Sequence, residues 1–193
     1  MTSRVTLISP AMNAALRQAL FDDGTTSLDE GGAATARAAA GSLPAPTRVL
    51  TSPSTRCRET ATALGFEGVP VADLGGLDAG RWQGLTLDEV AATEPEAVGS
   101  WLSDPSSAPH GGDSVQSVCE RVGRWLDTAQ GADGRTLAVV EPDVVRAAVV
   151  HALGLSAAVF WRLDVAPLTA TELSGRAGRW NLRLGSALTA GQP

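Results

Sequence analysis

The sequence predicts an α/β fold, a three-layer sandwich with a mostly parallel central sheet. Three observations predict it. Short runs at 5–8, 47–51 and 137–140, each with adjacent apolar residues rather than strict alternation, read as strands buried on both faces rather than half-exposed ones. Helical patterns separate these runs through the first 155 residues, the alternation that lays parallel strands side by side under two helical layers. Finally, 44% of the 193 residues are hydrophobic, enough to build one sizeable core.

The elements run in order along the chain. After the first strand, Ser9-Pro10 reads as a helix start, with Ser as cap and Pro in the first helical position, and the helix is expected to continue over 11–21. Asp22-Asp23-Gly24 breaks it. Ser27-Leu28-Asp29-Glu30 fits a capping box that opens an Ala-rich helix to about residue 42. The strand at 47–51 leads through Ser52-Pro53 into another helix, to about residue 64. A short edge strand is expected at 69–71, and the Gly-rich stretch 74–84 is expected to be irregular. Thr86-Leu87-Asp88-Glu89 is a second capping box. Residues 95–102 read as helix, 104–113 as a Pro/Ser/Gly loop, and 114–130 as an amphipathic helix with Val115, Val118, Cys119, Val122, Trp125 and Leu126 on one stripe. Helices at 144–153 and 157–163 come after the strand at 137–140. A terminal hairpin is expected from 168–173 and 180–184. Residues 1–188 read as one domain and 189–193 as a loose tail.

Composition narrows the chemistry. The formal net charge of −6 disfavours nucleic acid as a partner. No apolar run approaches the roughly 20 residues that cross a bilayer, and the N-terminus lacks a signal-peptide layout, so no membrane partner and a cytoplasmic location are expected. All basic residues are arginine, which excludes a lysine nucleophile and, with the abundant Ala and Gly, implies a GC-rich coding sequence. Cys57 and Cys119 have no metal or redox spacing, and two isolated histidines form no metal cage, so neither metal nor cofactor is expected.

Five blocks then carry a resemblance. Residues 48–61, Arg-Val-Leu-Thr-Ser-Pro-Ser-Thr-Arg-Cys-Arg-Glu-Thr-Ala, look like a strand–helix motif, and the Ala-rich helix from Ser27 looks like the segment before it. Gly80-Arg81-Trp82-Gln83-Gly84, Pro109-His110-Gly111-Gly112-Asp113-Ser114 and the segment 139–146 around Glu141 complete the set in the same order. Together they resemble the histidine phosphatase, phosphoglycerate mutase-like superfamily along nearly the whole chain. That resemblance implies a phosphoryl-accepting histidine in an Arg-His-Gly motif after the first strand, where this chain has Ser9-Pro10-Ala11. It places Glu141 where a second histidine would stabilise the phosphoryl group, and Gly75 or Gly76 where an acid would stand. Of the implied phosphate pocket only Arg56 remains. Proline cannot accept a phosphoryl group, and an ionised Glu141 about 4 Å from a phosphate would repel each of its charges by roughly 4 kcal/mol at an effective dielectric of 20. The expectation is therefore a member of this fold without phosphohistidine chemistry.

Each candidate carries two readings. Arg56 and Glu141 either close on each other as an ion pair, or act together, with Glu141 as general acid or base and Arg56 holding an anion. Ser9 is a helix cap, or part of a Ser9-to-Asn13 turn whose free N–H groups bind an anion. Asn13 is otherwise a solvated helix residue. Asp78 caps its loop or replaces the missing acid. Trp82 packs, or stacks on a ligand. His110 is an exposed loop histidine, or a site residue at the pocket mouth; His151 is structural. The expected partner is a small anionic or polar metabolite. Other readings are an isomerase, dehydratase, cyclase or hydrolase working through Glu141, a residual phosphatase, and an interaction subunit forming a homodimer.

Overall fold

The computed structural model describes residues 2–129, 134–176 and 178–189. Among them a six-stranded mixed sheet runs in the order β3-β2-β4-β1-β5-β6. Its strands are β1 (Ser3–Ile8), β2 (Arg48–Thr51), β3 (Val69–Pro70), β4 (Arg135–Val139), β5 (Thr169–Arg176) and β6 (Arg179–Ala187). The four strands β3, β2, β4 and β1 are parallel; β5 runs antiparallel to β1, and β6 to β5. The helices are α1 (Ala14–Arg17), α2 (Glu30–Ala38), α3 (Thr55–Ala63), α4 (Leu87–Thr93), α5 (Pro95–Ser103), α6 (Val115–Ala129) and α7 (Pro142–Ala152).

Alternate strand residues serve opposite layers. Val5, Leu7, Ala138 and Leu173 pack under α6 and α7, against Val118, Val122, Leu126, Val144 and Ala148. Ile8, Leu137 and Val139 face the other way, against Cys57, Ala61 and Leu64 of the α3 segment and Ala39 beyond α2. A third cluster of Trp82, Val90, Val98 and Trp101 joins α4 and α5 to the turn at 80–82. The contacts agree with the expected three layers. No described helix is long and apolar enough to cross a membrane.

Several local expectations are corrected. The helix expected over 11–21 shrinks to α1, because Ser9 does not cap it: its hydroxyl turns inward to the carbonyl oxygen of Ala166 (2.5 Å), and Asn13 caps instead, accepting from the Leu16 N–H at 2.9 Å. α1 ends where Ala19 takes a positive φ of 50°. α2 is capped by Asp29, not Ser27, and α3 by Ser54, not Ser52. The Gly-rich stretch holds a short 3-10 turn at Gly80–Trp82, and the helix expected at 157–163 is a 3-10 run, Ala157–Arg162. The capping box at Thr86 forms with both of its bonds. The expected tail, from residue 190 on, lies outside the described residues.

Candidate functional site

Parallel strands in register end together, so the turns that leave them meet at one place. Thr51 of β2 and Ile8 of β1 both stand opposite Val139 of β4. Beyond them the chain turns at Ser52-Pro53-Ser54 into α3 and at Val140-Glu141-Pro142 into α7. Two helix N-termini, each with a partial positive charge, thus meet at the carboxyl ends of the strands, where ligands of open α/β sheets bind, and residues of both line one cleft.

Glu141 occupies this focus. It is the N-cap residue of α7, yet its side chain makes no capping bond to its own helix. It crosses to α3 instead. The Arg56 Nε donates to both carboxylate oxygens at 3.0 Å, and Nη2 donates to Oε2 as well. The Ser54 hydroxyl donates to Oε1 at 2.7 Å. Both partners are only 9% exposed, so this is a largely buried, fork-like pair whose remaining lone pairs are also served. Burial works against the Arg56 charge, but the hydrogen bonds and charge of Glu141 outweigh it and hold the guanidinium above its ordinary pKa. Burial, then the Glu141 charge, pushes the neighbouring Cys57 thiol well up, which keeps it unreactive. Gly76 lies directly on the Glu141 stem: a Cβ there would stand 3.0 Å from the Glu141 Cγ. A side chain at 76 would press on Glu141 and require its stem to shift by a few tenths of an ångström.

The pair does not fill the cleft, whose volume is about 700 Å³. Asp22, Asp23, Asp78 and Asp143 line it along with Arg56, Arg58 and Glu141, and Trp101 and Trp161 contribute to its wall. Carboxylates outnumber guanidiniums, and Arg56 is already paired. Asp143 has its pKa raised by burial; the Arg146 charge opposes that rise and the Glu141 charge adds to it.

The structure brings Arg56, Glu141 and Asp78 to this cleft and keeps four other expected site residues out of its lining. Asp78 caps its own loop, accepting from the Gly80 N–H at 2.8 Å and the Gln83 amide at 2.9 Å. Ser9 is buried. Its N–H donates to the Thr169 carbonyl and the Ala11 N–H to the Thr60 hydroxyl, so the anticipated anion-binding turn has spent these donors internally. Asn13 is fully buried, not solvated; it donates to Asp22 at 3.1 Å and thereby positions a cleft carboxylate from behind. Trp82 is fully buried between Phe21 and Trp101, which rules out stacking on a ligand. His110 is not an exposed loop residue. It is 2% exposed, its ring 4.9 Å from that of Trp82, and its Nδ1 accepts from the Gly112 N–H at 3.0 Å. His151 lies between α7 and α6, with Nε2 2.8 Å from Asp127, over a bare Gly123 whose missing Cβ makes room for the ring. Both histidines of the chain are therefore away from the cleft. Sequence reasoning did not single out Asp22, Asp23, Asp143 or Trp161 for the site; only the spacing of Asp143, two residues past Glu141 in the first turn of α7, was available as a signal.

Comparison with known proteins adds relatives. The family model of the histidine phosphatase superfamily (branch 1) matches residues 13–186. A bifunctional protein of Mycobacterium tuberculosis is 36% identical over 132 residues, 64% of this chain and 36% of that protein. The glucosyl-3-phosphoglycerate phosphatase of Mycolicibacterium vanbaalenii is 34% identical over 123 residues, 57% of this chain and 55% of that protein. The chain thus spans about a third to a half of the length of these curated relatives. Among solved structures, native mycobacterial glucosyl-3-phosphoglycerate phosphatase superposes with a TM-score of 0.84 at 25% identity, covering 97% of this chain and 100% of that one. A putative α-ribazole-5'-P phosphatase of Escherichia coli superposes at 0.87 over 99% of both chains; at 19% identity it shows the fold alone.

Proposed function

The chain belongs to the histidine phosphatase superfamily, and from that premise we propose that it is a member without phosphohistidine chemistry, whose cleft binds a small polar metabolite. One observation carries the reading: the Glu141 carboxylate sits on Arg56 and Ser54, at the meeting point of two helix N-termini, as an anion supplied by the protein itself. A phosphoryl group brought to Arg56 has to displace a carboxylate that is covalently tethered there. Nor does either histidine line the cleft to accept the group. The surplus of carboxylates favours a neutral or cationic polar ligand over an anionic one.

Two other readings have specific support. The phosphatase named among the relatives, together with the retained Arg56, favours residual phosphatase activity. The open volume beside Glu141 favours a repurposed acid–base enzyme. Against the latter, both Glu141 oxygens are engaged, whereas a general base needs a free one in reach of its proton.

The test is turnover of p-nitrophenyl phosphate and glucosyl-3-phosphoglycerate, together with calorimetric titration of inorganic phosphate, in the wild type, Arg56→Ala and Glu141→Ala. The expected result is no turnover above the Arg56→Ala background and no Arg56-dependent phosphate binding, with such binding gained in Glu141→Ala once the tethered carboxylate is gone. Arg56-dependent turnover in the wild type overturns the proposal.

A further inference from the structure

A second recess lies at the opposite end of the sheet from the cleft. The α3 layer packs on Ile8, Leu137 and Val139, toward the cleft end of the sheet. At the other end β1, β4, β5 and β6, with Leu43, Pro44 and Pro46, line a groove of about 510 Å³. An antiparallel pair commonly leaves one face to water, but a parallel pair such as β1 and β4 does so rarely.

The strand register places the groove's polar side chains in a row. Arg135 of β4 stands opposite Arg4 of β1, Arg4 opposite Ser174 of β5, and Ser174 opposite Asn181 of β6. All four line the groove. With strands about 4.8 Å apart, these hydrogen-bond donors span roughly 14 Å of one face. The next row includes Glu172 opposite Arg183, a pair at 3.5 Å. Among the described residues neither Arg4 nor Arg135 has a carboxylate partner. Like charges directly across a strand pair destabilise it. This chain, with a formal net charge of −6, nevertheless sets side by side over a recess two arginines that have no carboxylate partner among the described residues.

We infer that this groove is an anion site, taking a small ligand with a doubly charged head group, a phosphate or a dicarboxylate, between Arg4 and Arg135, and a hydroxyl-bearing body along Ser174 and Asn181. Guanidinium forks on adjacent strands suit a dianion, which each can contact through paired N–H donors. The site is separate from the cleft and does not depend on what the cleft binds.

Calorimetric titration with pyrophosphate and with malonate tests it, in the wild type, in the Arg4→Ala/Arg135→Ala double variant and in Arg56→Ala. Both arginines are exposed, so the double variant is expected to melt at the wild-type temperature, which thermal unfolding checks. The expected result is millimolar or tighter binding of at least one probe, weakened at least about tenfold in the double variant, unchanged in Arg56→Ala, and screened by added salt. The preferred probe tells phosphate from carboxylate chemistry. Binding of neither probe, binding that survives loss of both arginines, or binding lost equally in Arg56→Ala overturns the inference.

Discussion

Arg56 and Glu141 decide the character of the cleft, and each is held by a geometric fact that a neighbour supplies. Ser54 caps α3 and donates to Glu141 at once. Gly76 leaves the space that the Glu141 stem needs. Removing one member of a buried pair strands the other charge, whereas replacing both with apolar groups of similar size is often tolerated. Glu141→Ala is therefore expected to cost about 3 kcal/mol in urea unfolding, since leaving the Arg56 charge unpaired is the dominant penalty. The Arg56→Met/Glu141→Leu double variant is expected to recover most of that loss. A double variant as unstable as the two single changes combined would show that the pair is not coupled. That these two residues lie near each other was legible through the family resemblance, which brings their motifs to one pocket; that they close on each other was left open between an ion pair and an acid–base pair. That Asn13 is buried behind Asp22, and His110 beneath Trp82, was not: each depends on a partner elsewhere in the fold rather than on local pattern.

Among the elements, α4 shows local chemistry acting alone. Thr86 and Glu89 exchange both capping bonds on an exposed surface, as their spacing predicts. Thr86→Ala is expected to cost about 1 kcal/mol, read as a lowered thermal midpoint, with the cleft's ligand binding unaffected. The Ser-Pro sequence after β1 carries an equally plain helix-start signal, yet α1 begins four residues later than that signal places it, at Ala14. The reason is competition for one hydroxyl. Ser9 sits where β1 passes the 166–169 loop, and there its oxygen both donates to Ala166 and accepts from the Thr169 N–H at 3.0 Å. Ser9 is itself buried, a buried hydroxyl must find partners, and that demand outranks a helix cap.

At the level of the whole molecule, His110 ties the Trp82–Trp101 cluster beside the cleft to pH. Burial holds its pKa below the ordinary 6.5, and the Arg81 charge adds to that effect, while Asp78 and Asp113 oppose it. The Gly112 N–H on Nδ1 leaves the ring proton on Nε2, and a second proton has to break that bond. The native state thus takes up this proton at lower pH than the unfolded chain does. The His110 contribution to stability is complete above pH 6.5 and is lost as the pH falls from there through the depressed value. The melting temperature, tracked from about pH 8 to pH 5.5, is expected to drop on the acid side. That drop is expected to flatten in His110→Phe; an equal slope in both proteins would assign it to other groups.

The sequence by itself determined the α/β class, the order of strands and helices, the family resemblance, and the chemical identity of the residues at positions 9–11, 56 and 141, because these rest on hydrophobic periodicity, turn chemistry and residue type, all local along the chain. Only the tertiary structure decided that Glu141 closes onto Arg56, that four acidic residues besides Glu141 line the cleft, that Ser9, Asn13, Trp82 and His110 are withheld from it, and that Arg4 and Arg135 stand together at the far end of the sheet. The physical reason is the same in each case. Burial, hydrogen-bond satisfaction and cross-strand register are relations between residues far apart in sequence, and they exist only once the sheet has assembled.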